Sequence, residues 1–483
     1  MSSPILSKIP AALLIGFTVT LVSCEALKGP QAAGTAKLDL PGAFSKAETG
    51  QNNKISTGWL HEFKDPRMTQ IVSEALVHNQ GLKAAAYRLK AVREGTIIGR
   101  AARLPSVSAS TSYRETDGKN ISSSENYAIS LNASWEADLW GRLRNIDLTA
   151  RANYAAALAD FRGARLSLAA NTAQAWCNLV TAEQQLSLAK ANVKSFSQAL
   201  IVVERRYKAN TLRAVDVQFA RNNVANSERS LRVRQLDRDN AARNVEVFLG
   251  RYPSATVTSS STLPSLSGAI PVGLPAGLLE RRPDLQAARA DLFASAQNAE
   301  AARKNLLPSL RLTGGASNGS DTFRRAFDPN FLAYSIASSL AQTIYQGGAL
   351  SARARAALDQ NRAAIEDYTR IALFAFREVE SAIETDRSLA EQEIFLEQEV
   401  RQSQLAVKRA LSDITLGIDG ASFLEYLEAQ RRAESAGISL IRLKNQRLQN
   451  RIDLHLALGG DYSTEEESLP HHSEWRYYSP ETR

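Results

Sequence analysis

The chain has 483 residues, 44% of them hydrophobic and 22% charged, and its 58 Lys and Arg against 50 Asp and Glu give a formal charge of +8. This basic excess is mixed along the sequence and never gathers into a patch, which excludes a nucleic-acid-binding face. Its two cysteines, Cys24 and Cys177, exclude a disulfide framework, and its five histidines lie in no HExxH, alongside no GxSxG, Walker or dinucleotide-turn signature. Neither an enzyme, a cofactor nor a metal site is expected.

In chain order, the first segment is a secretory signal. Lys8 supplies its positive region, and Ile9 to Val22 form an apolar run too short to span a bilayer as a helix. The run ends in Leu21-Val22-Ser23-Cys24, which resembles a lipobox. Cleavage after residue 23 would leave Cys24 as the lipidated first residue, followed by Glu25 rather than the Asp that retains lipoproteins in the inner membrane. Buried acyl chains contribute about 0.8 kcal/mol per CH₂, and more than one chain gives stable anchoring. Residues 24–58 are expected to be a lipid-anchored linker.

From residue 59 to 260 the pattern reads as a helix, two strands and a long helical block. Val107, Ala109, Thr111 and Tyr113 alternate with polar residues, and Tyr127 to Ala137 alternates over eleven residues with an aromatic near each end. That length and spacing match a membrane-spanning β-strand with aromatics at both interfaces. Arg114 to Asn126 is expected as the hairpin loop. No proline occurs between Pro105 and Pro253, and Gly163 is the one glycine from Arg142 to Leu249. Within this block Leu179, Ala182, Leu186, Ala189, Val193, Phe196, Leu200, Val203 and Tyr207 form a heptad seam, so the helix packs lengthwise against others. Cys177, beside Trp176, reads as a small buried hydrophobe.

Residues 261–460 repeat this order. Leu310, Leu312, Gly314 and Ala316 alternate, Ser317 to Asn330 reads as a loop, and Leu332 to Leu340 forms a weaker alternating strand. A second proline-free block follows, with a seam through Leu396, Val400, Ser403, Val407, Ala410 and Ile414. Leu104-Pro105-Ser106 recurs as Leu307-Pro308-Ser309 and Leu249-Gly250 as Leu458-Gly459, so the chain is a duplication. The last stretch, 461–483, is a polar tail whose His471 and His472 read as part of a frayed terminus. Four strands cannot close a barrel, and an unpaired strand edge in lipid leaves backbone groups unsatisfied. The smallest outer-membrane barrels need about eight strands, so several copies are expected to share one barrel.

Six stretches over Trp59 to Gly460 resemble the outer membrane factors, the TolC-like channels, and within them the lipoprotein efflux branch. They are Trp59…Phe63-Lys64-Asp65-Pro66, Trp135-Glu136-Ala137-Asp138-Leu139-Trp140-Gly141-Arg142, Leu279-Glu280-Arg281-Arg282-Pro283-Asp284-Leu285, Ile344-Tyr345-Gln346-Gly347-Gly348, Phe376-Arg377-Glu378-Val379-Glu380 and Ala457-Leu458-Gly459-Gly460. The resemblance implies a mainly α protomer with a membrane β-barrel portion: a duplicated helix-strand-strand-helix chain that trimerises into a twelve-stranded barrel on a long α-helical barrel. It also implies an outer-membrane exit duct, docked to a periplasmic adaptor and an inner-membrane RND-type pump and embedded in outer-membrane lipid. The gate carboxylates carried over by the resemblance are Asp216, Glu425 and Glu428, which threefold symmetry would turn into rings. Glu425 and Glu428 stand where the family usually has Asp, and Ile414 stands where it usually has a tyrosine. A type I secretion duct and a pore-free coiled-coil envelope lipoprotein are the alternatives.

Overall fold

The computed structural model describes residues 44, 58–259, 262–266, 275–418 and 422–460. The signal peptide, Cys24 and the tail 461–483 lie outside the described residues. A 3₁₀ turn (Trp59–Phe63) leads into α1 (Pro66–His78) and α2 (Gln80–Ala101), then β1 (Ser106–Gly118), β2 (Ile121–Ala137), α3 (Arg142–Lys208) and α4 (Ala214–Phe248). The second half runs α5 (Pro275–Arg281), α6 (Pro283–Lys304), β3 (Ser309–Ser320), the single turn α7 (Phe323–Ala326), β4 (Ala333–Ala341), α8 (Ala349–Leu416) and α9 (Phe423–Ala457). The duplicated order read from the sequence is therefore present in the fold.

Where breakers are absent the helices are long: α3 has 67 residues and α8 has 68, and each is followed by a helix of 35. All four end alike. A left-handed residue follows each helix, at Asn210, Gly250, Gly417 and Gly459, with φ of 57°, 69°, 74° and 66°. In each case the next N–H reaches back five residues, as in Thr211 to Arg206 O and Arg251 to Glu246 O, both 2.9 Å, and Ile418 to Asp413 O and Gly460 to His455 O, both 3.1 Å. These bonds satisfy the orphan carbonyls of the last turn. At the end of α3 the residue is Asn, whose short polar side chain tolerates that conformation.

The described residues fall into two compact units. One is built from Leu89–Leu158 and Ala287–Arg370, the other from the described parts of Asp39–Arg88, Ala159–Gln286 and Ile371–Arg483. The first carries one antiparallel sheet in the order β1-β2-β3-β4, in which β2 pairs with β3 and joins the two repeats. The first hairpin is longer than its expected loop. Pairing continues through Thr116↔Ser124 to Gly118↔Ile121, leaving Lys119 and Asn120 at the turn. This extension is polar on both faces, so the hydrophobic pattern is silent about it, while the backbone ladder needs no apolar side chains. In the second half Ser317 to Ser320 extend β3, and α7 with a 3₁₀ turn at Pro329–Phe331 occupies the rest of the expected loop.

The second unit is helical and has three buried clusters. The largest joins Trp59, Phe63 and Met68 to Trp176, Leu179, Leu249 and Ile452. Cys177 is buried there, as its neighbours require, and burial, its largest influence, pushes its thiol up to about 12. A second cluster packs Phe44 and Leu278 against Val379, Ile383 and Leu458. Along α3, Leu179, Ala182, Ala189, Phe196 and Val203 of the seam are buried, whereas Tyr207 at the helix end is exposed. The α8 seam is only half-buried until Ile414, which is buried.

Candidate channel-forming surfaces

The sheet has two chemically distinct faces. Val107, Ala109, Thr111 and Tyr113 of β1 stand opposite Ala133, Leu131, Ile129 and Tyr127 of β2. Across the next pair Trp135 meets Leu312 and Leu131 meets Ala316, and beyond them Gly314 meets Ile336 and Ala316 meets Tyr334. Because side chains alternate along a strand, all of these share one apolar face. The other face carries Ser106, Ser108, Ser110 and Ser112 against Ser134, Asn132, Ser130 and Ala128, followed by Thr313, Gly315 and Ser317 against Ala337, Ser335 and Ala333. Ile336 is 88% exposed and Tyr334 84%, an apolar surface that needs lipid or protein to cover it. Strands β1 and β4 are the sheet's edges.

The motif Trp135 to Arg142 forms the strand-to-helix hinge. Trp135 Nε1 donates to Arg103 O at 2.9 Å and Trp140 Nε1 to Pro308 O at 2.7 Å, tying both repeats to one rim. The Asp138 carboxylate accepts from the N–H groups of Leu143 (2.9 Å) and Arg144 (2.7 Å), which caps α3. Arg142 pairs with Glu136 at 2.6 Å.

In the helical unit three more of the quoted motifs converge on one guanidinium. Arg282, 8% exposed, donates to Glu378 at 2.8 Å and to Ala457 O at 3.0 Å, and pairs with Asp284 at 2.7 Å. Burial lowers the basicity of Arg282, but its bonds to Asp284 and Glu378 outweigh that and leave it raised. The Trp59…Pro66 motif builds a neighbouring network. Trp176 Nε1 donates to Asp65 at 2.8 Å, the Trp59 ring stacks on His455 at 5.6 Å, and Glu62 accepts from Arg451 and meets His455 Nε2 at 2.7 Å. Arg451 is also paired with Asp386 at 3.3 Å.

The α3–α4 and α8–α9 hairpin ends meet through a cluster of Ala199, Val203, Val217, Ala220, Ile414, Phe423 and Tyr426. Ile414 stands at the expected tyrosine position, and its carbonyl accepts a hydrogen bond from Arg206, whose Nε donates to Thr211 Oγ1 at 3.2 Å. Arg206 thus links the end of α8 to the α3–α4 turn. Asp216, 5% exposed, accepts the Arg213 N–H at 3.1 Å as the third residue of α4. Glu425 is exposed in the first turn of α9 and makes no ion pair among the described residues. Glu428 pairs with Arg432 at 2.7 Å and Arg431 at 2.9 Å, and hydrogen bonds from Arg432 and then Arg431 lower its carboxyl. No hydrogen bond or ion pair among the described residues joins Asp216 to either glutamate. Sequence reasoning missed Arg206, Arg213, Arg431 and Arg432; an arginine three or four residues from Asp216 and from Glu428 was the available signal for all but Arg206.

An amphipathic sheet with open edges, continued by long helices that end in paired hairpins, defines a protomer of an outer-membrane channel. The profile of the family described as outer membrane efflux protein matches residues 71–251 and 274–460, and the chain belongs to that family. It is 28% identical over 435 residues to the cation efflux system protein CusC of Escherichia coli O6:H1, covering 88% of this chain and 94% of CusC. It is also 26% identical over 490 residues to the pyoverdine export outer membrane protein OpmQ of Pseudomonas aeruginosa, covering 97% and 99%. A crystal structure of CusC superposes with a TM-score of 0.78 at 26% identity, over 90% of this chain and 98% of that one. The protein is thus an efflux channel of the outer membrane with a TolC-like fold.

Proposed function

We propose that three copies of this chain close a shared barrel and act as the exit duct of a tripartite efflux system, fed by an inner-membrane RND-type pump through a periplasmic adaptor. The observation that carries this reading is the sheet: one apolar face, one hydroxyl-lined face and two unpaired edges. Edges in lipid must pair, and neighbouring protomers supply that pairing. The half-buried α8 seam supports the same closure by neighbouring helices. Lipidated Cys24 is the proposed second membrane attachment.

Asp216, Glu425 and Glu428 are the proposed gate. Asp216 holds the α4 end in shape, Glu428 is shielded by two arginines, and Glu425 is the carboxylate free to present charge to a passing ion. Like carboxylates around a threefold axis repel one another and attract cations. Purified trimers in a planar bilayer should show low conductance and cation preference. Glu425→Ala/Glu428→Ala should raise conductance and weaken that preference, because Arg431 and Arg432 lose their partner. Conductance and selectivity both unchanged would overturn the gate assignment, whereas absence of any channel in the unmodified protein would overturn the duct.

A further inference from the structure

The β3–β4 connection folds back over the sheet. Asn318 stands opposite Ile129 in the ladder and hence on the apolar face, and its Nδ2 donates to Arg325 O at 3.0 Å and Asp328 O at 2.9 Å. The Phe323 ring meets Tyr127, also of the apolar face, edge-on at 5.8 Å, and Phe327 meets Phe323 at 5.1 Å. Phe323, Phe327 and Phe331 nonetheless remain largely exposed. Between the first two lie Arg324, which makes no ion pair among the described residues, and Arg325, whose nearest carboxylate is Asp321 at 3.9 Å with both side chains exposed. The segment therefore sets Phe323 and Phe327 over the face that the duct reading turns toward lipid, with two lightly engaged arginines between them in sequence and a third exposed ring, Phe331, at its end. It lies at the sheet's hairpin end, away from the strand ends that join α2, α3, α6 and α8.

We infer that Phe323 to Phe331 is a binding site for the phosphorylated glycolipid of the outer leaflet, with the phenylalanines among acyl chains and Arg324 and Arg325 on the headgroup phosphates. Aromatic rings favour the boundary between hydrocarbon and headgroups. Guanidinium matches phosphate geometry with paired, charge-assisted hydrogen bonds. Asn318 supplies the anchor, since its two bonds hold the loop against the sheet rather than free in solvent. This inference rests on the outer-membrane duct reading, which gives the sheet its lipid side and its outer end.

The test uses the full-length trimer in phosphatidylcholine nanodiscs, titrated with bis-phosphorylated lipid A or with its dephosphorylated form, bound lipid being counted by native mass spectrometry. The phosphorylated form should bind about tenfold or more tightly, the scale of one charge-assisted hydrogen bond. Arg324→Gln/Arg325→Gln should erase that difference, and so should Asn318→Ala, which keeps both arginines but releases the loop. Equal binding of the two forms by the unmodified trimer would overturn the site, and so would a double-arginine variant that binds as the unmodified protein does. Displacement by phosphatidylglycerol at equal concentration would overturn the glycolipid assignment. The readout is binding alone, so failure of the duct reading would appear separately, as absent conductance in the unmodified trimer.

Discussion

At the residue scale, Gly459 and Gly250 show what the duplication conserves physically. A Cβ on Gly459 would lie 3.0 Å from Arg282 N and 3.1 Å from the Arg281 carbonyl carbon, and one on Gly250 would lie 2.9 Å from His78 O. Both glycines hold a left-handed backbone and press against a helix junction, α1–α2 for Gly250 and α5–α6 for Gly459, so Gly459→Ala should lower stability by roughly 2 kcal/mol, through strain and contact together. Thermal melting of the trimer checks this, and an unchanged Tm would refute it. Glu62 offers a second test. Burial raises its carboxyl, but the bonds and charges of His455 and Arg451 outweigh burial and lower it. A carboxylate lowered in the folded state adds stability at pH values above its unfolded pKa of about 4.3 and loses it as pH falls through the lower folded value. Denaturation midpoints compared between pH 6 and pH 3 should therefore fall more for the unmodified protein than for Glu62→Gln. At pH 6 the variant should be less stable by about 3 kcal/mol, because Arg451 stays buried with Asp386 alone.

At the element scale, Arg206 ties the end of α8 to the α3–α4 turn by a hydrogen bond outside the apolar cluster of the hairpin ends. Arg206→Gln removes the donor to Ile414 O while leaving the cluster of Val203, Ile414 and Tyr426 intact. Hydrogen exchange should accelerate at the last turn of α8 and across Ala209–Arg213, with the helix cores unaffected. Protection unchanged at both ends would show that the apolar cluster alone holds them. Long helices and alternating strands were legible in the sequence because their periods are simple and Pro and Gly mark their limits. The end of α3 was less so, since Asn210 is neither of those residues. The extension of β1 and β2 to Gly118 and Ile121 runs through polar residues from Arg114 to Asp117 and from Ser122 to Asn126, and so left no alternating hydrophobic pattern. Arg206 bonds a backbone carbonyl from a distant helix, and no local spacing encodes such a contact.

At the scale of the whole molecule, four strands with two open edges and a half-covered α8 seam make the protomer incomplete alone. In a detergent that preserves outer-membrane proteins, the purified chain should run as a trimer with circular dichroism dominated by helix. A monomer with intact secondary structure would break the shared-barrel proposal. Cys24→Ser should abolish fatty-acid labelling yet leave the trimer able to insert, because the apolar face of the sheet is independent of the acyl chains.

The pairing of β2 with β3 also governs the order of events as the chain folds. Tyr127 meets Ser320 and Trp135 meets Leu312, partners drawn from opposite halves of the duplication, while each flanking hairpin joins strands that are near neighbours in sequence. Closing so long an intervening loop costs entropy before the contact repays it, so pairings of this kind form late and slowly. The first hairpin can form as soon as Ala137 has emerged, but the sheet's centre must wait for α3, α4 and α6. Until then the strands expose their ladder groups to any other chain. Exported protein thus passes through a stage in which its helices are ready and its membrane sheet is not, and that stage is where a periplasmic chaperone has most to protect.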